Sequence, residues 1–359
     1  MWQDKLKEAG INLHVIATGA GAGVQQLLWE VPGSSAYLSG TSFPYAPEEQ
    51  EELLGFMPEH FCSEEAAVDL ASAAYMKAYK FGGKKPVGVG LAASVASEKL
   101  HRGDHRIFAC IVSDTSIRLS RYTLDKGVGF EQRQKDGRVC DDAGVGLLRD
   151  LVNETDILQS SDATELAKKR FFERPFFTAN GKRFATLTES ARWAIMPGAY
   201  NPPHEGHFGT AKQVGEDYGN QVVFEVTAEP PHKDALSVQD LLKRAKLLQG
   251  YDRIFTRKVP FYIDKARAFP GCPLVMGADA MVRMLDPKWG LNLQEVFEEF
   301  EERDVMLYLA GRTVDGKFVT REDIQETLSP ELKRLFISQT RPVRGHWDMS
   351  STELRKKLL

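Results

Sequence analysis

Short apolar runs alternate with amphipathic stretches along the first part of the chain. The run LHVIA, which starts at residue 13, is followed by a glycine-rich turn and by the helical stretch VQQLLWE, which ends at Val31-Pro32-Gly33. Strand-like and helix-like stretches then alternate through GVGLAASVA and RIFACIVSD to AGVGLLRDLVNE, which ends near residue 154. This alternation predicts an α/β domain over residues 1–155.

The pattern changes between residues 156 and 192. A polar stretch precedes an aromatic-rich piece, FFERPFFTANGKRFATL, in which Asn180-Gly181 is typical of a hairpin turn. We interpret this part of the chain as a connector with some structure of its own.

A second alternation occupies residues 193–359. Its strand-like runs are WAIM, QVVFEVT, RIFTRKV, PLVMG, DVMLYLAG and RLFIS, and helical stretches such as SVQDLLKRAKLLQ and LQEVFEEFEERD lie between them. Strands interleaved with helices in this way predict a second α/β domain with a doubly wound parallel sheet. In such sheets, ligands lie beyond the carboxyl ends of the strands.

Composition and charge narrow the class of protein. The 359 residues suit two domains, and 42% hydrophobic with 27% charged residues is typical of globular proteins. With a net charge of -4 and no block of lysine or arginine, we expect no nucleic-acid or membrane partner. The four cysteines are scattered without a CxxC pair, and no apolar run approaches the roughly 20 residues of a membrane helix. These features predict a cytoplasmic protein.

The stretch PGAYNPPHEGHFGT, residues 197–210, follows the first strand of the second alternation and carries His204 and His207. Taken alone, it fits a helix start with two solvated rings, a zinc site, or a phosphate cradle. A zinc site needs further ligands, which no metal-like spacing supplies. The phosphate hypothesis uses more of the residues, because a helix start offers backbone N–H groups, Gly206 allows close approach, and imidazoles donate to phosphate oxygens.

Four motifs in residues 193–359 extend this observation. They are Gly198 to His207, the segment Pro230-Pro231-His232-Lys233, the segment Met276-Gly277-Ala278-Asp279 with Trp289 after it, and Met349 to Arg355. Together they resemble the HxGH nucleotidyltransferase superfamily and, within it, the nicotinate or nicotinamide mononucleotide adenylyltransferases. The resemblance implies a Rossmann-like fold and transfer of the adenylyl group of ATP to a pyridine mononucleotide in NAD biosynthesis, with Mg²⁺ entering with ATP.

The resemblance also implies roles for individual residues. The implied catalytic residues are His204, His207, Lys233 and Arg355, and the implied mononucleotide-binding residues are Lys233 and Trp289. The implied ATP-binding residues are Gly198, Ala199, Tyr200, Asn201, Gly206, Gly277, Asp279, Ser350, Ser351 and Thr352.

Several of these residues have a purely structural alternative. Ser350 with Glu353 fits a capping box, Asp279 fits a helix N-cap, Lys233 fits a solvated loop lysine, and tryptophans such as Trp289 are often core residues.

Two questions about the substrate and the activity stay open at this stage. Asn201 stands where many bacterial members carry aspartate, which leaves the choice between acid and amide substrates open. There are two alternative functions. One is another HxGH transferase, which acts on phosphopantetheine or a phosphorylated alcohol, and the other is a non-catalytic nucleotide sensor.

We also expect the protein to form a homo-oligomer.

The first domain carries a second resemblance, over residues 5–155. Its anchor is Val31 to Tyr37, followed by Tyr45, Leu53-Leu54-Gly55, Ser63-Glu64-Glu65 and Pro86-Val87-Gly88. These segments resemble the C-terminal domain of the competence/damage-inducible protein family, whose active members are nicotinamide-nucleotide amidases.

The residues expected to perform the amidase reaction are altered. Thr18 falls at the position of the family's nucleophilic serine, Gln50 at the position of its lysine, and Val89 at the threonine that opens a glycine-rich segment. A hydroxyl nucleophile needs a base or a cation to activate it, and glutamine is neither. We therefore expect a degenerate domain that serves binding, dimerisation or regulation, with residual activity through Thr18 as the alternative.

Overall fold

The computed structural model describes residues 1–82, 84–153, 161–188, 192–230 and 233–345. The chain folds into two compact units. The first comprises Met1–Arg174, Lys182–Ala185 and Ser237–Lys246, and the second comprises Pro175–Gly181, Thr186–Leu236 and Leu247–Leu359. Among the described residues, no helix is both long and apolar enough to cross a membrane.

Both units contain helices and strands, as the sequence pattern predicts, but in the first unit the strands Pro86–Ser94, Arg106–Val112 and Ile117–Thr123 follow one another without a helix in the described residues between them. Up to residue 185 the elements are α1 (Trp2–Glu8), β1 (Asn12–Thr18), α2 (Gly23–Trp29), β2 (Leu38–Ser42), α3 (Pro47–Leu54), α4 (Glu64–Gly82), β3 (Pro86–Ser94), β4 (Arg106–Val112), β5 (Ile117–Thr123), α5 (Gly129–Asn153), α6 (Ser161–Glu173), β6 (Phe176–Phe177) and β7 (Arg183–Phe184). After it they are β8 (Trp193–Pro197), α7 (Glu205–Tyr218), β9 (Gln221–Thr227), α8 (Val238–Leu247), β10 (Arg253–Thr256), α9 (Tyr262–Ala268), β11 (Leu274–Gly277), α10 (Ala278–Leu285), α11 (Leu293–Glu302), β12 (Leu307–Ala310), β13 (Arg312–Val314), β14 (Lys317–Val319), α12 (Arg321–Glu326), α13 (Pro330–Gln339) and β15 (Thr340–Val343).

The first unit is built on a five-stranded mixed sheet with the strand order β2-β1-β3-β4-β5. β1 is parallel to β2 and β3, whereas β4 is antiparallel to both of its neighbours. Because strand side chains alternate between faces, Leu13, Val15 and Ala17 of β1 point into one apolar core, together with residues of α1, α2 and α5. Helix α4 packs on β3.

The contact between α4 and β3 depends on two glycines of the strand. A Cβ on Gly88 would lie closer than 3.0 Å to the backbone of Ala71 and Tyr75, and a Cβ on Gly90 would meet the backbone of Ala67 and Ala71 equally closely. Backbone atoms of a helix cannot move aside as the end of a side chain can, so only glycine allows this approach.

We expect Gly88→Ala to lower the free energy of unfolding by about 1–3 kcal/mol, the range for overpacking a filled core. Gly137 is a matched control, since it lies within α5 and a Cβ there would have nothing within 4 Å. Gly137→Ala should instead raise the free energy of unfolding by about 0.5–1 kcal/mol through helix propensity. Chemical denaturation of the two variants tests the packing, and equal stabilities would contradict it.

The second unit contains the doubly wound sheet that the sequence predicts. Its strands follow the order β15-β12-β11-β8-β9-β10-β6. The strands from β15 to β10 are parallel to their neighbours, and β6 pairs antiparallel with β10. Numbered along the chain, the parallel strands have the order 6-5-4-1-2-3, which is the Rossmann order read from the other edge. The order reverses between β8 and β11, so the crevice expected to hold a ligand lies where these two strands end.

The sixth strand does not lie where the sequence pattern predicts it. The run RLFIS falls inside α13, and the strand is the following segment, Thr340–Val343. Ser329 caps this helix by accepting from the backbone N–H of Leu332 at 3.4 Å, and Pro330 occupies its first turn. The predicted turn at Asn180-Gly181 is confirmed, because Gly181 has a φ of 92° and its N–H donates to the carbonyl of Thr178 at 2.9 Å.

Candidate active site

The loop from β8 to α7 is held by a buried tyrosine. Tyr200 is 1% exposed and has a φ of 45°, its hydroxyl donates to the carbonyl of Met196, and its ring lies 5.2 Å from that of Phe224. The N–H of Gly198 donates to the carbonyl of Glu225 on the neighbouring strand at 2.9 Å. These contacts determine where helix α7 begins at the switch point.

Helix α7 begins with the two histidines side by side. His204 is its N-cap residue with extended backbone, and its N–H donates to Nδ1 of His207 at 3.2 Å. The ring centroids are 3.7 Å apart. Since Nδ1 of His207 is an acceptor, the neutral ring carries its proton on Nε2. Nδ1 of His204 is buried and has no hydrogen-bond partner among the described residues, which leaves a polar atom for a ligand.

Both histidines are neutral at physiological pH. Burial, then His204 and Arg312, lower the pKa of His207 to about 3. The pKa of His204 is also lowered, by burial and by Arg312. The rings therefore act as hydrogen-bond donors or acceptors and carry no charge.

This pKa predicts a pH dependence of stability. An unfolded histidine titrates near 6.5, so between pH 6.5 and about 3 the unfolded state binds a proton that folded His207 does not. The contribution of His207 to stability is complete above pH 6.5 and decreases as the pH falls through this window. We expect His207→Gln to unfold with a weaker pH dependence than the wild type in denaturation series between pH 7 and pH 4. Parallel curves would contradict this assignment.

A third residue, Arg312, lies beside this pair. It opens β13, directly after β12 has ended at Ala310. A Cβ on Gly206 would lie 3.3 Å from Nη1 of Arg312 and 3.0 Å from Nδ1 of His204. A Cβ on Gly277 would lie 3.3 Å from Nε of Arg312 and 2.9 Å from its Cγ. The arginine thus extends from the end of β11 to the start of α7.

Sequence reasoning missed Arg312. None of the four motifs includes this residue, and a single arginine in a hairpin resembles any surface residue. The signal that could have found it is its position as the first charged residue after the fifth predicted strand, at the edge where the strands of a parallel sheet end.

Gly277 and Asp279 lie at the other side of the switch point. Gly277 is the N-cap residue of α10, and Asp279 lies in the first turn, so the interpretation of Asp279 as an N-cap is wrong. Its carboxylate instead accepts from Nη2 of Arg283 at 2.6 Å. The helix begins two residues earlier than the side-chain pattern suggested, because extended Gly277 already ends the strand.

The other predicted residues are less closely grouped or are not described. Lys233 is exposed on the segment after β9, and Trp289 ends a 3-10 helix, Pro287–Trp289. Pro231 and His232 lie outside the described residues, as do Ser350, Ser351, Thr352 and Arg355. Within the described ranges, no three histidine, cysteine, aspartate or glutamate side chains are placed to hold a metal ion.

In the first unit, Thr18 and Gln50 lie in contact at the end of β1. Nε2 of Gln50 donates to Oγ1 of Thr18 at 2.8 Å, and both residues are buried. Oε1 of Gln50 is buried without a partner among the described residues. Val89 lies in the core on β3, paired with Val15. The threonine hydroxyl therefore receives a neutral amide donor where a nucleophile would need a base.

The strand order defines a Rossmann-like, doubly wound fold. Residues 195–357 match the family described as cytidylyltransferase-like, which confirms the resemblance in this part of the chain. The match supports nucleotidyltransferase chemistry for this segment.

Comparisons with individual proteins add three similarities. A protein described as a probable nicotinate-nucleotide adenylyltransferase, from Lactiplantibacillus plantarum, is 37% identical over 79 residues. The matched stretch is 20% of this chain and 37% of that relative, so the chain spans little more than a third of the relative's length. A competence-damaged protein (CinA) superfamily structure from Enterobacter cloacae is 16% identical, with a TM-score of 0.35 over 43% of this chain and 89% of its own. A competence or damage-inducible protein from Enterobacter asburiae is 14% identical, with a TM-score of 0.35 over 41% and 92%.

Proposed function

We propose that this protein transfers the adenylyl group of ATP to nicotinamide or nicotinate mononucleotide and releases pyrophosphate. The observation that carries the proposal is the pair of neutral histidines, His204 and His207, beside Gly206 at the switch point of a doubly wound sheet. A nucleotide phosphate is the ligand that a helix start, a glycine and two imidazole donors suit best.

The reaction needs no protein nucleophile. An oxygen of the 5'-phosphate of the mononucleotide attacks the α-phosphorus of ATP, a new P–O bond forms, and the bond to pyrophosphate breaks in line. The protein therefore has to align two anions and stabilise the charge that develops on the phosphate oxygens. His204 and His207 would donate to the α- and β-phosphates, next to the positive end of α7.

The remaining roles follow from the motifs. Lys233, which is exposed, would hold the leaving pyrophosphate together with Ser350, Ser351 and Arg355, and Thr352 would bind ATP. Trp289 would stack on the pyridine ring. The pyridine mononucleotide is supported by the Pro-Pro-His-Lys segment at residues 230–233 and by the Lactiplantibacillus plantarum relative.

The proposed function is tested by mixing the full chain with MgATP and each acceptor in turn and measuring pyrophosphate. The acceptors are nicotinamide mononucleotide, nicotinate mononucleotide, 4'-phosphopantetheine and glycerol 3-phosphate. We expect turnover with one or both pyridine mononucleotides and the matching dinucleotide as product. Turnover with another acceptor alone would show a different HxGH transferase, and ATP binding without any turnover would show a nucleotide sensor.

We also propose that the first unit lacks amidase activity, which the Thr18–Gln50 hydrogen bond supports. We expect the full chain to release no ammonia from nicotinamide mononucleotide above the rate of the buffer, with an active amidase as the positive control. Steady release that disappears in Thr18→Ala would show that the threonine is a working nucleophile.

A further inference from the structure

The site needs a positive charge that its two histidines do not supply. A triphosphate carries several negative charges, whereas the low pKa values of His204 and His207 keep both rings neutral. We propose that Arg312 binds the phosphates of the nucleotide directly and adds its charge to those proposed for Lys233 and Arg355, with the two histidines as neutral donors beside it. This assignment rests on the proposed function for its ligand, a nucleoside triphosphate.

Two glycines, Gly206 and Gly277, show where the side chain of Arg312 lies. Nη1 of Arg312 and Nδ1 of His204 both lie close to the point where Gly206 would carry a Cβ, at 3.3 and 3.0 Å. A small space over Gly206 is therefore bordered by a guanidinium N–H and by a buried imidazole nitrogen that has no partner among the described residues. An oxygen atom placed in this space would be within reach of both groups.

Gly277, at the end of β11, lies against the same arginine side chain. A Cβ on Gly277, the N-cap residue of α10, would lie 2.9 Å from Cγ and 3.3 Å from Nε of Arg312, and 2.4 Å from Oδ1 of Asp279. The guanidinium is planar and presents its donors as a fork, which matches two oxygens of a phosphate group. Its stem lies along the end of β11, so the fork is held at the switch point.

Several other charged groups lie near the site. On β9, Glu225 is fully buried and pairs with Lys265 of α9 at 3.1 Å. On α10, Asp279 pairs with Arg283 at 2.6 Å. Tyr200 and Tyr262 are further titratable side chains in this region, and burial raises the pKa of both. After burial, the charge of Arg312 also lowers the pKa of both histidines, in keeping with its position beside His204 at Gly206.

The test compares Arg312→Gln with Arg312→Lys in the full chain, and Arg267→Gln serves as a control. Arg267 is an exposed arginine of α9 that pairs with Glu299. We expect Arg312→Gln to weaken MgATP binding at equilibrium by roughly tenfold or more, the scale of losing a charged hydrogen bond. Arg312→Lys should recover part of the affinity, and the control should bind like the wild type.

A second readout needs no nucleotide. In NMR titrations, the pKa values of His204 and His207 should rise in Arg312→Gln and stay lower in Arg312→Lys, because the charge at position 312 adds to the lowering that burial causes. A loss of packing would not reproduce this difference. Unchanged ATP affinity together with unchanged histidine titrations would overturn the assignment.

The wild type supplies a third measurement if Arg312→Gln does not fold. The side-chain Nε–H signal of Arg312, assigned by its loss in Arg312→Lys, should shift when MgATP is added. No shift at saturating MgATP would overturn the assignment. Binding of ATP through Arg312 without transfer to a mononucleotide would leave this assignment intact and would refute the proposed transfer reaction.

Discussion

His207→Ala should lower kcat for pyrophosphate formation by about 10²-fold or more, the scale of removing one preorganised donor to a charge that develops in the transition state. Nδ1 of His207 accepts from the backbone N–H of His204 at 3.2 Å, so the proton on Nε2 is directed away from the helix backbone and toward a ligand. The measurement is steady-state pyrophosphate release with MgATP and the preferred mononucleotide.

Two further variants separate the structural role of His207 from the chemical one. Asparagine places an amide near the position of Nδ1 and can keep the contact with His204, whereas glutamine places its amide nitrogen near the position of Nε2. We expect His207→Asn to be as stable as the wild type but nearly inactive, and His207→Gln to keep more activity than His207→Ala. A wild-type rate in His207→Ala would remove this residue from the mechanism.

Gly206→Ala is the second change for which we expect a large effect, and it should reduce activity without unfolding the protein. The added methyl group would lie 3.0 Å from Nδ1 of His204 and 3.3 Å from Nη1 of Arg312, in the space proposed for a phosphate oxygen. Alanine is favoured over glycine within a helix by about 0.5–1 kcal/mol, which offsets the crowding of two side-chain ends that can shift slightly. We expect kcat/KM to fall by roughly 10²-fold, the same scale as the loss of a donor, with a melting temperature close to that of the wild type.

Gly215→Ala is the matched control for this prediction, because Gly215 lies in the same helix α7. A Cβ there would lie 3.5 Å from the carbonyl oxygen of Asn220, which is an ordinary contact. Gly215→Ala should keep full activity. If Gly206→Ala also stays fully active, no phosphate oxygen occupies the space over Gly206. If it unfolds, the glycine has a structural role only.

The order of elements could be predicted from the sequence because apolar periodicity is local. Runs such as WAIM and QVVFEVT are short, β-rich and bounded by turn residues, and they form β8 and β9. The prediction of a strand at RLFIS was wrong because this run is equally apolar but follows the helix start Ser329-Pro330. For such a short apolar run, periodicity alone does not distinguish a buried helix from a strand.

The site could be predicted only in part for a related reason. His204, Gly206 and His207 are close in sequence, so one helix turn brings them together whatever the rest of the fold does. Arg312 is more than a hundred residues away from them, and Gln50 lies 32 residues from Thr18. Their positions depend on which strands are neighbours in the two sheets, and no local pattern encodes that choice.

The sequence by itself determined the two α/β domains, the helix start with its histidine pair, and the resemblance to a nucleotidyltransferase. Only the tertiary structure decided that Arg312 lies beside Gly206 and Gly277, that both histidines are neutral, and that Gln50 bonds to Thr18. The physical reason is that hydrophobic periodicity depends on neighbours within one element, whereas burial, pKa and charge at a site depend on contacts between elements far apart in the chain.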